Sequence, residues 1–386
     1  MAELSRFRFP VSIVFGAGAR LVLAEFARDQ EVSRPLLVTD TGLVETEAFR
    51  LAAAEMDRVW PGRVTQFTGV HPNPTDQDVE DAATAYAEGG CDGVVGVGGG
   101  SALDAARAMR LMVAFPDRVL TEMPFDDLPA RLTPFCAVPT TAGTGSETGR
   151  SSVITIASLG RKAVFGAQPL MADLAILDPE LTVGLPPHLT AYTGMDAMTH
   201  AVESLACPLF HPMCDAIALE SIRLVHTYLP KACENGGDLE ARGMMQMAAA
   251  MGATAFQKDL GAAHSLSHPL SSELGIQHGL ANAICLVPVM RFNKESAAGQ
   301  YARAAAAMGV NTFGMSALEA ADGAIDAIAN LNARVGIPAT LAEIGVPLEK
   351  LPLLAEKAFA DPCHQTNPRP CTEQDLLGLY EEAHGS

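Results

Sequence analysis

Two histidine pairs and one carboxylate stand out by their spacing. Asp196 and His200 lie four residues apart in Gly194-Met195-Asp196-Ala197-Met198-Thr199-His200. His264 and His268 are also four apart, and His278 follows ten residues later. On a helix, residues four apart share one face. One Asp and three imidazoles form a donor set suited to a divalent transition metal such as Fe²⁺ or Zn²⁺, with a net charge of about +1 and positions left open. A hard Mg²⁺ or Ca²⁺ site would ask for more carboxylates. His264 and His268 share a face, so spacing alone lets either point at the metal. Pro269 suggests that the helical path bends or ends there. An isolated His is more often a surface or packed residue, and His71, His188, His211, His226 and His384 are read that way.

A second kind of chemistry is suggested by glycine. Gly98-Gly99-Gly100-Ser101 follows a strand and opens a helix. Ser101 can cap that helix, with Asp104 three residues on as in a capping box. Free N–H groups and the helix dipole there suit an anion such as a pyrophosphate. The strict G-x-G-x-x-G fingerprint is absent, and a plain strand-to-helix turn explains the loop equally well on its own. A second loop of small and hydroxylated residues, Thr140-Thr141-Ala142-Gly143-Thr144-Gly145-Ser146-Glu147, follows another strand. Asp40 closes an earlier strand, where a carboxylate can hold both hydroxyls of an adenosine ribose.

These residues need elements to position them. Val11–Phe15, Leu36–Thr39, Gly93–Val97 and Phe135–Val138 are apolar runs that end in turn residues, mostly followed by helical patterns. That alternation predicts a mostly parallel sheet with helices on both faces. From about Pro187 the chain is rich in Ala, Leu, Met, Glu and Arg at helical spacing. The expected organisation is an α/β domain over 1–185 and an all-helical domain over 186–386, divided at Leu185-Pro186-Pro187.

Composition sets the outer limits. The chain has 386 residues, 48% of them hydrophobic, which suffices for a sizeable core. Its 45 acidic and 26 basic residues give a net charge of −19, and no local basic patch offsets it. Nucleic acid and anionic membrane surfaces are therefore disfavoured partners. No apolar run reaches the roughly 18 residues of a membrane span. The Phe9–Ala19 stretch faintly imitates a secretory signal, but Glu3, Pro10 and Ser12 interrupt it, so no signal is expected. The 8 Cys contain no C-x-x-C pair, which points to reduced thiols in the cytoplasm.

Taken together, the Gly98–Ser101 loop with Asp104, the Pro139–Glu147 loop, Gly194-Met195-Asp196 through His200, and His264-x3-His268-x9-His278-Gly279 closely resemble the iron-dependent (group III) alcohol dehydrogenases. The resemblance runs from Phe15-Gly16 to Asn367-Pro368-Arg369. Phe256-Gln257-Lys258, ahead of His264-Ser265-Leu266-Ser267-His268-Pro269, is similar to the branch that includes 4-hydroxybutyrate dehydrogenases. The resemblance implies a dehydroquinate synthase-like fold: an N-terminal dinucleotide-binding domain and a helical metal-binding domain, with the active site in the cleft between them. It implies Asp196, His200, His264 and His278 as metal ligands, and His268 as a catalytic residue beside the nicotinamide. Asp40, Gly98, Gly99, Ser101, Asp104, Thr140, Thr141, Thr144 and Lys162 fall at cofactor positions. Ser151, Val153, Phe256 and Cys363 are candidates for lining the substrate pocket. Arg107 stands where many members have Lys, and its side chain is expected to face away from the phosphates.

The expected activity is an NAD-linked alcohol dehydrogenase or aldehyde reductase acting on a small primary alcohol, diol or hydroxy acid. Fe²⁺, or else Zn²⁺, would polarise the substrate oxygen while the nicotinamide exchanges hydride. Arg150 would suit a substrate carboxylate, or else be an ordinary surface residue. A homodimer or larger assembly is expected, with Val11–Phe15 as a strand that can pair across a two-fold axis. The competing activities are those of glycerol dehydrogenases and dehydroquinate synthases. More remote is a metal-dependent hydrolase, which the two glycine-rich loops argue against.

Overall fold

A computed structural model describes Phe7 and residues 11–385; Glu3, Phe9 and Pro10 of the signal-like stretch lie outside the described residues. The chain separates into two compact units that meet in sequence at Leu185 and Pro186. Phe7 goes with the second unit, where its ring meets that of His211 edge-on at 5.7 Å.

The first unit holds β1 (Ser12–Phe15), α1 (Leu23–Asp29), β2 (Pro35–Asp40), α2 (Glu47–Val59), β3 (Thr65–Val70), α3 (Asp76–Glu88), β4 (Gly93–Gly98), α4 (Gly100–Ala114), β5 (Phe135–Pro139), β6 (Ser151–Ile156), β7 (Arg161–Gly166) and β8 (Leu174–Leu177). Six strands form one sheet in the order β1-β8-β5-β4-β2-β3. Every pairing in it is parallel. Strands β4 and β5 are buried at every residue, as expected where helices cover both faces of a sheet. Alternate side chains feed two separate cores. Leu36, Val38, Val94 and Ala137 pack with Val79 of α3 and Leu103 of α4. Leu37, Val95, Cys136 and Ile176 pack with Phe26 of α1 and Met56 of α2. The remaining strands, β6 and β7, pair as an antiparallel hairpin with no counterpart among the sequence-based elements.

The second unit holds α5 (Pro187–Ala206), α6 (Pro212–Glu234), α7 (Leu239–Ala255), α8 (Ala262–Leu274), α9 (His278–Asn293), α10 (Ala298–Ala307), α11 (Ala317–Arg334), α12 (Leu351–Phe359) and α13 (Glu373–His384). Pro187 opens α5 at a position where a missing N–H costs nothing. Residues 194–206 of α5 are all buried, so this helix is apolar nearly all round and forms the centre of the unit. The expected break at Pro269 does not occur: α8 continues through it to Leu274. Proline removes one internal bond and crowds the preceding turn. The buried packing of Leu266, Leu270 and Ser271 around it keeps the helix intact.

Helices α5 and α9 approach closely at Gly279. A Cβ there would stand 2.1 Å from the Tyr192 carbonyl oxygen and 3.2 Å from the Asp196 Cβ. The obstacle is backbone, so no rotamer change relieves it. Gly279→Ala should destabilise the helical unit by about 1–3 kcal/mol, the usual cost of overpacking. Chemical denaturation checks this: the unfolding midpoint of that unit should fall, and an unchanged midpoint would show that the two helices part without cost.

Candidate functional site

Within the helical unit, α5, α8 and α9 bring four sequence-predicted donors to one place. Asp196 and His200 project from one face of α5, His264 comes from α8, and His278 is the first residue of α9. Single donor atoms of Asp196, His200 and His264 all lie within 4.8 Å of one another. His278 Nε2 is 3.6 Å from Asp196 Oδ1. Asp196, His200 and His264 are buried.

The amide of Asn282 sits among these donors. Its Nδ2 lies 2.8 Å from Asp196 Oδ1, 3.3 Å from His264 Nε2 and 3.1 Å from His278 Nε2. An amide nitrogen has two hydrogens, so it cannot satisfy three acceptors. His200 turns its Nε2 to the same place, 3.9 Å from Asp196 Oδ1. Buried polar groups left short of partners are costly. A cluster of one carboxylate and three imidazoles with this shortfall fits a divalent transition-metal cation. Burial opposes ionisation of Asp196, but the charges of His200, His278 and His264 and the Asn282 bond outweigh it and hold its carboxyl below the usual range.

The residues next to the donors are also tightly specified. His264 Nδ1 lies 2.6 Å from Glu203 Oε2. Burial pushes the Glu203 carboxyl up to about 7, against the backbone N–H bonds it accepts. His268, on the same helix, stacks on His278 with ring centroids 5.4 Å apart. Its Nδ1 is held 2.7 Å from Asp361 Oδ2, while Asp361 Oδ1 accepts from Ser265 Oγ and the Cys363 N–H. Burial opposes ionisation of Asp361 too, but its bond to His268 prevails and holds the carboxyl far below the usual range. Of the pocket candidates, Phe256 lies against His200, ring centroids 5.1 Å apart, and Cys363 offers its sulfur beside His268 and Asp361. Ser151 and Val153 belong to the first unit, on β6. Of the histidines read as surface or packed residues, His71 pairs with Asp78, His211 accepts from Cys214 N at the start of α6 and His384 bonds the Val346 carbonyl.

In the first unit, the cofactor candidates gather at the carboxyl ends of the adjacent strands β2, β4 and β5, where ligands bind in open α/β sheets. The glycines let these segments touch. A Cβ on Gly98 would be 3.1 Å from Asp40 Oδ2, and one on Gly100 would be 2.8 Å from Thr144 Cγ2. Thr140 N donates to the Gly98 carbonyl, and Thr141 packs against Gly99. The expected capping box does not form: Gly99 is the N-cap of α4, no side chain caps it, and Ser101 is already inside the helix. Asp104 is drawn elsewhere, accepting from Ser146 Oγ at 2.6 Å, Val153 N at 2.9 Å and Arg107 at 3.0 Å. Arg107 is fully buried and also binds the Ser146 and Ser151 carbonyls. Lys162 Nζ donates to Asn73 Oδ1 at 2.7 Å, and burial lowers the ammonium pKa against the nearby Asp104 charge. The Arg150 side chain is exposed.

Sequence reasoning did not single out Glu203, Asn282 or Asp361. Glu203 carried a local signal: it follows Asp196 and His200 at the i+7 position of the same helical face. Asp361 had none, since 93 residues separate it from His268.

Comparison with known proteins agrees across the chain. The family model for iron-containing alcohol dehydrogenase matches residues 10–179, and that for the Fe-containing alcohol dehydrogenase family, C-terminal, matches residues 190–384. The chain is 38% identical to 4-hydroxybutyrate dehydrogenase of Cupriavidus necator over 367 residues, covering 91% of this chain and 92% of the relative. It is 36% identical to NAD-dependent methanol dehydrogenase of Bacillus methanolicus, covering 98% of this chain and all of that protein. A crystal structure of 1,3-propanediol oxidoreductase superposes with a TM-score of 0.95 at 35% identity, covering 99% of this chain and all of the other. The chain belongs to the iron-containing alcohol dehydrogenase family.

Proposed function

We propose that this alcohol dehydrogenase uses NAD to interconvert a small primary alcohol, diol or hydroxy acid with its carbonyl partner. The observation that carries the reading is the meeting of Asp196, His200 and His264 within 4.8 Å of one another, with His278 Nε2 3.6 Å from Asp196 Oδ1. The relatives support it, being named as dehydrogenases of methanol and 4-hydroxybutyrate, the former NAD-dependent. Those names span alcohols and hydroxy acids at similar identity, so the substrate class is kept broad. Family membership over both units sets the hydrolase reading aside.

The four residues would hold the metal, iron in keeping with the family, with Zn²⁺ the alternative that the same donors accept. When bound, the metal supplies Lewis-acid polarisation of the substrate oxygen and NAD accepts or returns the hydride. The chain's own residues do the rest. Asp361 fixes His268 through Nδ1, which leaves Nε2 to pass a proton between substrate oxygen and solvent. Phe256 and Cys363 flank the donors as pocket walls, and Ser151 and Val153 are the pocket candidates of the first unit. Gly98, Gly99, Ser101, Thr140, Thr141 and Thr144 would cradle the pyrophosphate, helped by the uncapped N-terminus of α4. Lys162 adds a cation there. Asp104 would act by holding the loop containing Ser146 against α4, and Asp40 would bind the ribose hydroxyls.

We place the enzyme in the cytoplasm, where its free thiols stay reduced, and read it as a homodimer or larger assembly. Strand β1 supports that assembly, since among the described residues it ends the sheet and pairs on one side only, with β8. Light scattering at micromolar concentration should give at least twice the 40.5 kDa chain mass; a monomer refutes the assembly.

Two further measurements test the roles. His268→Ala should keep metal near one equivalent while turnover falls by roughly 10²–10⁴-fold, typical of a lost acid–base group. His264→Ala or His278→Ala should lose metal first. Metal analysis beside kinetics decides it, and equal metal loss in His268→Ala and His264→Ala would show the ligands wrongly assigned. Asp40→Gly should lower the KM for NADP, because a 2′-phosphate no longer meets a carboxylate. Equal use of NAD and NADP by the unmodified enzyme would overturn that role.

A further inference from the structure

Glu203 is only 5% exposed and is not among the four donors. It sits one turn beyond His200 on the same face of α5, and its two oxygens do different things. Oε2 lies 2.6 Å from His264 Nδ1, and Oε1 accepts from the Ala263 N–H at 2.6 Å. Helix α8 needs such a partner. Its N-cap is Gly261, which has no side chain to offer, and its first turn would otherwise leave buried N–H groups unpaired. Asn367 Oδ1 takes the Ala262 N–H, and Glu203 takes the next. A Cβ on Gly261 would stand 2.9 Å from Glu203 Oε1, so glycine is what lets the carboxylate reach the helix end.

We propose that Glu203 is a positioning residue of the metal centre, holding His264 as the tautomer whose Nε2 faces Asp196 and His278. The inference rests on the ligand set proposed above. A carboxylate accepts only, so the hydrogen between it and His264 belongs to Nδ1, and the Nε2 lone pair is left for the metal. Nε2 lies on that side, 3.3 Å from the Asn282 amide that also touches Asp196 and His278. Such outer partners raise the basicity of a ligating imidazole, and losing one commonly costs about 10–100-fold in metal affinity. Glu203 also ties α5, which carries two of the donors, to the start of α8, which carries a third.

The test uses the full-length enzyme stripped of metal and titrated with Co²⁺ against a chelator, following affinity and the visible cobalt spectrum. Glu203→Gln keeps the shape and one acceptor but removes the charge. It should bind Co²⁺ about 10–100-fold more weakly than wild type, with a shifted spectrum. Glu203→Asp keeps the charge on a shorter arm and should fall between the two. Asn367→Ala removes the neighbouring helix cap, together with bonds to Asn293 and the Arg369 carbonyl but none to His264, and should lower the thermal midpoint and leave Co²⁺ affinity unchanged. Wild-type affinity and spectrum in Glu203→Gln overturn the proposal, as does equal weakening by Asn367→Ala, which would make Glu203 a helix cap and nothing more. If Glu203→Gln does not fold, wild-type affinity and spectrum in Glu203→Asp overturn it equally. Full Co²⁺ affinity in His264→Ala would instead overturn the ligand assignment beneath it.

Discussion

Helices α5 and α9 meet where Gly279 lies against the Tyr192 carbonyl, and the donor cluster depends on that contact. His278 and Asn282 ride on α9, and Asp196 and His200 on α5. Any larger residue at 279 would push the pair apart by more than the tolerance of a coordination sphere. Gly252 does the same for α7, where a Cβ would stand 3.1 Å from the Ala197 carbonyl oxygen of α5 and 3.4 Å from the His200 Cβ. The centre is thus set by backbone-to-backbone approach. The polar side chains are then held by one another: Glu203 by Ala263 and His264, Asp196 by Asn282. This is the behaviour expected of a site on rigid elements with its neighbours fixed by packing.

The first unit solves a different problem by similar means. Its candidate loops follow three adjacent strands whose carboxyl ends must converge without filling the space between them. Glycine keeps the loops thin, and the buried Asp104–Arg107 pair keeps them in place by binding Ser146, Ser151 and Val153 from one point on α4. Burial raises the Asp104 carboxyl pKa against the Arg107 charge, and lowers that of Arg107 against the Asp104 charge. A buried pair of this kind loses much when one member is removed, because the other is left as an uncompensated charge.

Much of this was legible in the chain, for physical reasons that also mark where legibility ends. Helical period places Asp196 with His200 and His264 with His268, so the donors could be read from spacing. A sheet covered on both faces needs continuous apolar strands, so β2, β4 and β5 could be read from composition. Spacing could not choose between His264 and His268. Glu203 and Asp361 divide them, and each meets its histidine across 61 or 93 residues of chain. The capping box at Ser101 and Asp104 failed because Arg107 and two distant donors, Ser146 and Val153, compete for the same carboxylate. Pro269 failed as a helix breaker because the surrounding packing outweighs one lost hydrogen bond. Local rules predict local structure, and these residues answer to tertiary neighbours.

The strand order has a consequence for how the protein is made. Among the described residues strand β1 pairs only with β8, and the Gly18 N–H that follows β1 bonds to Asp178, 160 residues on. Arg20 binds the same carboxylate. On a ribosome, β1 must wait for almost the whole first unit before its hydrogen bonds can be met. Contacts of such long sequence separation carry the loop-closure cost that slows folding. Until β8 arrives, the edge of β5 that it will occupy is open to other extended chains, which exposes the nascent first unit to wrong strand pairing.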